Sequence, residues 1–523
     1  MTAEYLALHL PALLIGVPLF FAFALPLVAR LGSSAREWWV LFGTTLASLI
    51  GLILAQRVLS GGTITYVFGA ASPGEVLPPG AKFPVRIVFS IDGMAAMMVG
   101  IASLLAFTVT VFSLRSEQKT SGQTGYYALL LLLFTSVFGL VTTGDLFNFF
   151  VFLEIGSLAG AALAAYRVER GLAAEAGLKY GLLSTLSGLL VLIAIGILYA
   201  QYNSLNIAQL SQRLGASNLD KVALALLVAP LVMKCGAVPM HFMTVDAYGA
   251  APPGVSSFLI VSSQASLYGL LRVLFTLYGL QMDFETLGTV VITLGILSMF
   301  VGVTMAIPQK DVKRLMAYHA VSQTGYMLLG TGVGLAVLGD AALLEKYGKA
   351  AMAGGLYHLG NDAAFKGLLF LTAGAVFHRT GTRNLNKLGG LGHSMKWTML
   401  FFICGALAIA GIPPFNGFAS KLVIYESVYA YSPFLAVLAM VVSVLTLASF
   451  VKVFHSVFMG PPLAKFAEVR EAPASMLVGM GILAAATLLL GMFPNLVIDS
   501  VVMPAVEALV SQGGYTRAVL GGG

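Results

Sequence analysis

Long apolar runs separated by short polar loops constrain the fold of this chain more than any other feature. Hydrophobic residues fill 58% of the 523 positions and charged residues only 10%. A soluble globular chain carries roughly 25% charged residues. So few charges cannot cover a water-exposed surface of this size. The composition therefore excludes a soluble enzyme, a disordered chain and a nucleic-acid-binding module, and it predicts an all-α polytopic membrane protein.

The apolar runs are numerous enough to cross a bilayer many times. One crossing helix needs about 20 mostly apolar residues. Several runs exceed a straight crossing, so we expect those helices to tilt or break. The sequence thus predicts about 14 transmembrane helices, near residues 5–29, 38–58, 91–114, 126–143, 146–166, 178–201, 222–244, 254–278, 285–307, 312–337, 350–377, 397–428, 433–458 and 474–494.

The basic residues predict how the chain lies in the membrane. The net charge of +7 comes from 29 Lys and Arg against 22 Asp and Glu. About twice as many basic residues fall in loops on one predicted side as on the other, which makes that side cytoplasmic. Both termini then lie outside the cell membrane. Glu4 precedes the first apolar run without a basic region, so no cleavable signal peptide is expected.

Three regions outside the runs have their own patterns. In the outside loop from about 60 to 90, Thr63–Phe68 and Phe83–Phe89 are typical of a small β-hairpin. Residues 203–218 predict a short helix at the membrane interface. The tail from residue 495 is weakly amphipathic, and the pattern does not place it.

Ionisable residues within the apolar runs are the candidate functional residues, because such groups are expensive in lipid. For any one of them, the alternative is a buried polar group that only joins two helices. Packing alone does not call for a row of ionisable groups through successive helices. The row consists of Glu154, Lys234, His319, His358, Asp362, Lys366 and Lys421, with Glu426 five residues after Lys421 in the same run.

Glycine and proline interrupt two of these runs beside a lysine. Lys234 is followed by Gly236 and Pro239, and Lys421 follows Gly411 and the proline pair 413–414. Proline removes a backbone hydrogen bond, and in lipid such a break survives only where protein or water lines it. Two such breaks favour two similar halves around internal polar sites, as in transporters built from inverted repeats. The alternative is that Pro and Gly are simply frequent in membrane helices.

The motifs resemble those of the antiporter-like subunits shared by respiratory complex I, Mrp-type cation/proton antiporters and membrane-bound hydrogenase or ferredoxin-linked complexes. The resemblance implies fourteen helices, with inverted five-helix repeats in segments 4–8 and 9–13 and broken helices 7 and 12. It also implies N-terminal helices in 1–120, a first repeat in 121–280, a second in 281–460 and a last helix with the tail in 461–523. AGIPPFNGFASK favours the Mrp and hydrogenase branches. The matching stretches are 145–167, 177–188, 233–253, 267–272, 310–330, 359–376 and 410–427.

The resemblance also assigns residues. Glu154 matches the family's segment-5 glutamate, Lys234 its segment-7 lysine and Lys421 its segment-12 lysine or glutamate, while His319 and Lys366 match frequent segment-10 and segment-11 residues. Two positions depart from the pattern: Gln264 stands where a lysine or histidine is usual, and Asp362 where histidine is usual. These departures put an unbroken relay between the halves in doubt.

Simple electrostatics gives the row a function. A carboxylate about 6 Å from a lysine favours the charged lysine by about 2.8 kcal/mol at an effective dielectric of about 20. Moving Glu154 and Lys234 together or apart would therefore make the lysine take up and release a proton. We interpret this pair as the modulating pair, His319 and Lys366 as the central relay, and Lys421 as the far gate. With Gln264 uncharged, the step to the second half must use water or His319, and Asp362 modulates Lys366 there.

Three functions remain open on this basis. The first is a proton- or sodium-translocating subunit of a larger membrane complex; the second is an autonomous secondary transporter; the third is a non-conducting scaffold. The chain has no flavin, NAD or haem motif, and Cys235 and Cys404 are too few and too far apart for a disulfide framework, an iron–sulfur cluster or a cysteine zinc site. We therefore expect no cofactor or metal in this chain. Redox power would come from partner subunits with iron–sulfur clusters, alongside other membrane subunits and lipid.

Overall fold

A computed structural model of the chain describes residues 7–70, 87–117, 122–167 and 171–521. Helices α1 (Leu10–Val28) and α2 (Ser33–Gly61) precede a two-stranded hairpin, and α3 (Gly93–Ser116) follows it. Strands β1 (Ile64–Val67) and β2 (Val88–Ile91) pair antiparallel, with Ile64 opposite Ile91. The predicted hairpin is thus present, with its second strand a few residues later than predicted. Residues 83–86 of that prediction lie outside the described residues.

The next helices contain the first broken segment. They are α4 (Gln123–Thr142), α5 (Leu146–Ala164), α6 (Gly171–Tyr202), the short α7 (Ile207–Arg213), α8 (Asn218–Lys234), α9 (Phe242–Ala250) and α10 (Pro253–Leu271). Helix α7 lies within the predicted interfacial stretch 203–218. The predicted crossing at 222–244 is divided between α8 and α9, so the break after Lys234 is real. A π-helical turn, Arg272–Tyr278, extends α10.

The following helices contain the second break. They are α11 (Phe284–Ala306), α12 (Val312–Ala336), α13 (Lys349–Thr380), α14 (Lys396–Ala410), α15 (Asn416–Tyr431) and α16 (Pro433–Phe458). The predicted crossing at 397–428 is divided between α14 and α15. Both breaks begin at a glycine with positive φ, Gly236 at 81° and Gly411 at 77°. A Cβ at Gly411 would lie 3.0 Å from Cδ of Lys421, so the turn needs glycine for space as well as for conformation.

The last helices return over the hairpin. They are α17 (Ala474–Met492), α18 (Pro494–Val510) and α19 (Gln512–Leu520), and α18 and α19 meet at 87°. Thr65 of β1 donates to the Ala518 carbonyl at 2.9 Å. The Tyr515 ring lies 4.9 Å from the Arg272 guanidinium carbon. These contacts place the tail, which the sequence pattern left open, against the hairpin end of the bundle.

Aspartate side chains begin several of the helices. Asp92 accepts from the Ala95 amide at 3.0 Å, Asp145 from Asn148 at 2.8 Å and Asp311 from Lys313 at 2.9 Å, at the first turns of α3, α5 and α12. Ser217 and Asp220 form a reciprocal capping box at the start of α8. Each cap satisfies amides that the helix leaves unpaired, and this fixes where each apolar helix begins.

The predicted all-α membrane fold is confirmed, but the count of 14 crossings is not. Within the described residues, 10 helices are long and apolar enough to span a membrane, or up to 11 with the bent pair α18–α19. The four predicted crossings outside this set are the broken segments α8–α9 and α14–α15, together with α12 and α13. These four carry every predicted site residue except Glu154. The inverted repeats and the four domain boundaries stay predictions.

Candidate functional site

The predicted site residues lie far from the helix ends or at the breaks, and they are shielded from the surface of the chain. Six of them are at most 7% exposed, and Glu154 is half-buried. Glu426, by contrast, is exposed on α15. The contacts divide the row into two clusters, one around Lys234 and one around α13. The buried six are Lys234, His319, His358, Asp362, Lys366 and Lys421.

Lys234 lies at the end of α8 and reaches α5. Its Nζ donates to Ser157 Oγ at 2.5 Å, and Ser157 is three residues after Glu154 on the same helix. Among the ion pairs of the described residues, none joins Lys234 directly to Glu154. The carboxylate instead packs against α6, where a Cβ at Gly188 would clash with Glu154 Oε1. The lysine therefore has a hydroxyl partner with a carboxylate one helical turn away.

A small polar cavity adjoins Lys234. Its volume is about 20 Å³, and its polar lining comes from Ser136, Ser157, Tyr180, Ser262 and Ser266. One water molecule needs about 10–15 Å³ and two to four polar partners. The cavity thus has the size and lining to hold one water against the lysine.

A larger polar vestibule lies beside α6 and α9. Its volume is about 420 Å³. Lys179 contacts Glu175 at 2.6 Å and Asp246 at 3.4 Å, and Arg314 lies 3.7 Å from Asp246. The next residue, Tyr180, is buried and lines the small cavity instead. Adjacent residues of α6 therefore line the two cavities, Lys179 the vestibule and Tyr180 the small cavity at Lys234.

The second cluster is centred on the ion pair of α13. Lys366 Nζ lies 2.8 Å from Asp362 Oδ1, and it donates to the Ala320 carbonyl at 3.1 Å. Gln264 of α10 donates to Asp362 Oδ2 and to the Leu359 carbonyl, both at 3.0 Å. Gln264 and Asp362, the two departures from the family pattern, are thus direct partners. Their hydrogen bond joins α10 to α13, that is, the predicted first repeat to the predicted second.

The two histidines differ in their connections. His358 bonds Gln323 Oε1 at 3.0 Å through Nε2 and Ser420 Oγ at 2.9 Å through Nδ1. His319 bonds Ser449 at 2.8 Å through Nε2, toward α16. Its Nδ1 has no hydrogen-bond partner among the described residues. His358 is therefore the histidine connected to both α12 and α15.

Lys421 is held at the second break. Its Nζ donates to the Ile409 carbonyl at 2.8 Å and to Ser443 Oγ at 2.9 Å, and it lies 4.7 Å from the centre of the Tyr326 ring. Ile409 belongs to the last turn of α14, whose carbonyls lack helical partners and carry partial negative charge. The break therefore supplies part of the site that holds the lysine. A cavity of about 240 Å³ also reaches Lys421.

Sequence reasoning missed the polar residues that hold these groups. Ser157, Gln323, Ser420, Ser443 and Ser449 contact the predicted residues directly. Serine and glutamine are too common in membrane helices to stand out in one sequence.

Sequence reasoning also missed the buried ion pairs Arg272–Asp92, at 2.7 Å, and Arg167–Glu117, at 3.0 Å, because they lie at helix ends. In the part of the chain that the structure describes, no three His, Cys, Asp or Glu residues come together as metal ligands would.

Comparison with known proteins identifies the family. The family described as "NADH:quinone oxidoreductase/Mrp antiporter, TM" matches residues 143–446. NADH-quinone oxidoreductase subunit N of Desulforudis audaxviator is 32% identical over 95% of this chain and 98% of its own length. A Na(+)/H(+) antiporter subunit of Alkalihalophilus pseudofirmus is 30% identical over 78% of this chain and 80% of its own.

A solved structure shares the fold. The Mrp complex from Dietzia sp. DQ12-45-1b contains a chain that is 25% identical, with a TM-score of 0.83 over 99% of this chain and 100% of that one. The relatives from the two branches match at nearly equal identity, so the nearness to the Mrp and hydrogenase branches stays a prediction. The resemblance in the motifs is confirmed: this chain belongs to the NADH:quinone oxidoreductase/Mrp antiporter transmembrane family.

Proposed function

We propose that the chain is an antiporter-like subunit that moves protons, sodium ions or both within a multisubunit membrane complex. The observation that carries the proposal is the row of ionisable groups, of which the six buried ones lie in the two broken segments and in α12 and α13. An ionisable group inside a membrane is costly and marks an ion path by default. The names of the complex I and Mrp relatives agree with this function.

In the first half, Lys234 and Glu154 form the modulating pair. Lys234 donates to the neutral hydroxyl of Ser157 on α5, and the Glu154 carboxylate lies one turn away on α5. A short swing toward Glu154 would stabilise the charged lysine, and the return to Ser157 would favour proton release. The adjoining cavity supplies a place for the water that accepts the proton. Ions reach this pair from the polar vestibule past Tyr180.

The halves communicate through Gln264, Asp362 and Lys366. An amide cannot carry a proton as a charge, but its hydrogen bond orients Asp362 toward the lysine. Several buried polar atoms near this route have no protein partner in the described residues, and an unpaired buried atom costs about 1–3 kcal/mol. Ordered water satisfies such atoms, so water completes the route. The atoms are Glu154 Oε1, Gln264 Oε1, His319 Nδ1 and Gln323 Nε2.

Toward the far gate, His358 is better connected than His319. It bonds Ser420, which precedes Lys421, and its ring lies 5.4 Å from that of Tyr326, under the same lysine. His358 therefore passes the proton between Lys366 and Lys421, and His319 serves as a side branch toward Ser449. This changes the sequence-based assignment, which gave the central relay to His319.

The complex around the chain belongs to the same proposal. Other membrane subunits surround the chain, which lies in the cell membrane with both termini outside. It holds no redox cofactor of its own. Partner subunits with iron–sulfur clusters, or exchange with another ion, supply the energy.

Replacing Lys234 tests the proposal. In the reconstituted complex, Lys234→Ala should abolish ion transport while the subunits still assemble, because a proton carrier is lost. Lys221→Ala is the matched control, since Lys221 is an exposed lysine of the same helix. Transport is measured with a pH-sensitive dye inside the vesicles and, separately, with a sodium probe. Wild-type transport by an assembled Lys234→Ala complex would contradict the proposal and favour a scaffold. Full activity of the isolated chain would favour an autonomous transporter.

A further inference from the structure

A large apolar cavity lies beside α13, apart from the proposed ion path. Its volume is about 650 Å³, and residues of α2, α3, α13, α17 and α18 line it. Most of the lining is hydrocarbon, from side chains such as Leu52, Ile101, Leu104, Leu356, Leu490 and Val501. None of the seven predicted site residues faces it.

The cavity is about as deep as one leaflet of a bilayer. Its α3 lining runs from Ala96 to Leu105, and its α13 lining runs from Leu356 to Ala364. At 1.5 Å per residue, these stretches span about 12–14 Å. The hydrocarbon core of a bilayer is about 30 Å thick, so the depth equals about one leaflet. A transmembrane helix of a partner would need a groove through both leaflets.

Polar lining residues gather at one end of the cavity. Gln56 and Ser60 come from the last turns of α2, just before the hairpin, and Asp499 and Ser500 come from α18. The polar Asn361, deeper in the wall, already bonds the Asn416 carbonyl at 2.9 Å. The interior of the cavity is apolar and its rim at the hairpin end is polar. A membrane lipid has the same arrangement, with its acyl chain in the apolar core and its head group at the interface.

The cavity is open to the membrane and has space beside its glycines. Leu52, in its lining, is 48% exposed on the face of α2. A Cβ at Gly100 would meet nothing within 4 Å, and one at Gly360 would meet only Ile101, at 3.4 Å or more. Walls without partner atoms lose dispersion contacts. Acyl chains are the apolar molecules present at this depth, so they restore those contacts.

We propose that this cavity binds an acyl chain of a phospholipid from the leaflet on the hairpin side, with its head group beside Gln56, Ser60 and Ser500. The bound chain packs against Tyr357, Gly360 and Asn361 on one face of α13. Asp362 and Lys366 lie on the neighbouring face of the same helix. Through Asn361 and Asn416 the lipid also supports the first turn of α15, after the break. The proposed lipid site depends only on the observed cavity and does not require the proposed ion path.

Filling the cavity tests the proposal. In Gly100→Leu the new side chain starts in the open space, because a Cβ there would meet nothing within 4 Å. Gly16→Leu adds the same side chain on the exposed face of α1, where a Cβ would also meet nothing within 4 Å. Phospholipid bound to the intact purified complex is counted by native mass spectrometry. We expect Gly100→Leu to lose about one phospholipid per chain relative to wild type and Gly16→Leu to lose none, as for a pocket of ligand size. Equal lipid counts in the two variants would overturn the proposal.

A second measurement needs no variant of the cavity. The wild-type complex is placed in vesicles that contain a phosphatidylethanolamine with a photoreactive diazirine near the end of one acyl chain. After illumination, we expect adducts on the buried stretches 96–105 and 356–364, as well as on lipid-facing residues such as Leu182 and Leu186. Adducts on the lipid-facing residues alone would overturn the proposal, even if Gly100→Leu failed to assemble.

Discussion

Changing Asp362 and Lys366 singly and together distinguishes a proton relay from a structural ion pair. The two side chains lie one helical turn apart, with Nζ and Oδ1 separated by 2.8 Å, and both are at most 3% exposed. At that distance two unit charges attract by about 6 kcal/mol for an effective dielectric of about 20, before the cost of burying them is subtracted. The hydrogen bond from Gln264 to the charged carboxylate adds about 1.5–3 kcal/mol.

The single and double variants should therefore differ in stability. Asp362→Asn alone leaves Lys366 charged and unpaired, and such a loss costs about 3–5 kcal/mol. We expect little assembled complex. Asp362→Asn with Lys366→Met removes both charges and keeps the volumes, so assembly should return. If the pair carries protons, the assembled double variant should not transport them.

A second buried ion pair of the chain provides the control. Arg272 and Asp92 are joined at 2.7 Å with side chains about 4% exposed, but they lie at helix ends rather than in the row. Asp92→Asn with Arg272→Met removes as much buried charge, and transport per assembled complex should persist. Proton uptake into vesicles is measured for each variant and divided by the amount of complex on native gels. Wild-type transport by the Asp362/Lys366 double variant would refute the relay and leave a structural pair.

Three further predictions concern other parts of the chain. Glu154→Gln should lower transport at least tenfold, equivalent to about 1.4 kcal/mol, and Glu154→Asp should be milder; equal rates for Gln and wild type would make the carboxylate structural. Lys421→Ala should stop ion movement on one side of the membrane, while single-turnover proton uptake by the first half of the path persists. Unimpaired net transport by this variant would show that ions leave the path at another residue. Burial raises the pKa of Asp145, in the turn between α4 and α5, to about 6, so stability should fall as pH rises from 4 to 8 by up to about 3 kcal/mol. Asp145→Asn keeps the helix cap and should flatten that thermal-unfolding profile; an unchanged profile would contradict the assignment.

The apolar runs predicted the fold well because lipid imposes one simple requirement on a crossing helix. The run at 433–458 coincides with α16, and the run at 146–166 nearly coincides with α5. The prediction is weaker where a helix continues beyond the apolar core. Helix α6 already includes Gly171, ahead of the predicted 178, because Glu175 is helical but too polar to belong to a run. Hydropathy reports the membrane boundary, not the end of the helix.

The sequence identified the ionisable residues of the site but not how they are connected. Charge in an apolar run is visible in one sequence, whereas the serine that contacts a lysine is not. The separation of Lys234 from Glu154 by a hydroxyl contact could not be predicted, because it depends on how α5 and α8 pack. The preference for His358 over His319 depends in the same way on which helices surround α13.

The two departures from the family pattern become intelligible only as a pair. According to the resemblance, Gln264 removes a charge from the predicted segment 8 and Asp362 adds the opposite charge to the predicted segment 11. In the structure Gln264 donates to Asp362 across α10 and α13. A lysine at position 264 would place a second cation near the Asp362–Lys366 pair, and a histidine at 362 would remove the only buried carboxylate described in this cluster. Gln264 and Asp362 are therefore compatible with each other, and each is less compatible with the residue that the family usually has at the other position.

The three lysines of the row are held in three different ways, and this gives the row a direction. Lys234 is held by a hydroxyl, Lys366 by a carboxylate and Lys421 by a carbonyl that the helix break leaves free. A carboxylate stabilises an ammonium more than a carbonyl or a hydroxyl does. The central lysine therefore has the strongest partner of the three, and in the proposed relay its proton would leave when Asp362 is drawn away. Gln264 of α10 donates to Asp362, so in the proposed mechanism a movement of α10 that accompanies the Lys234 step would provide that pull. Coupling between the proposed halves would then depend on the position of the Gln264 amide.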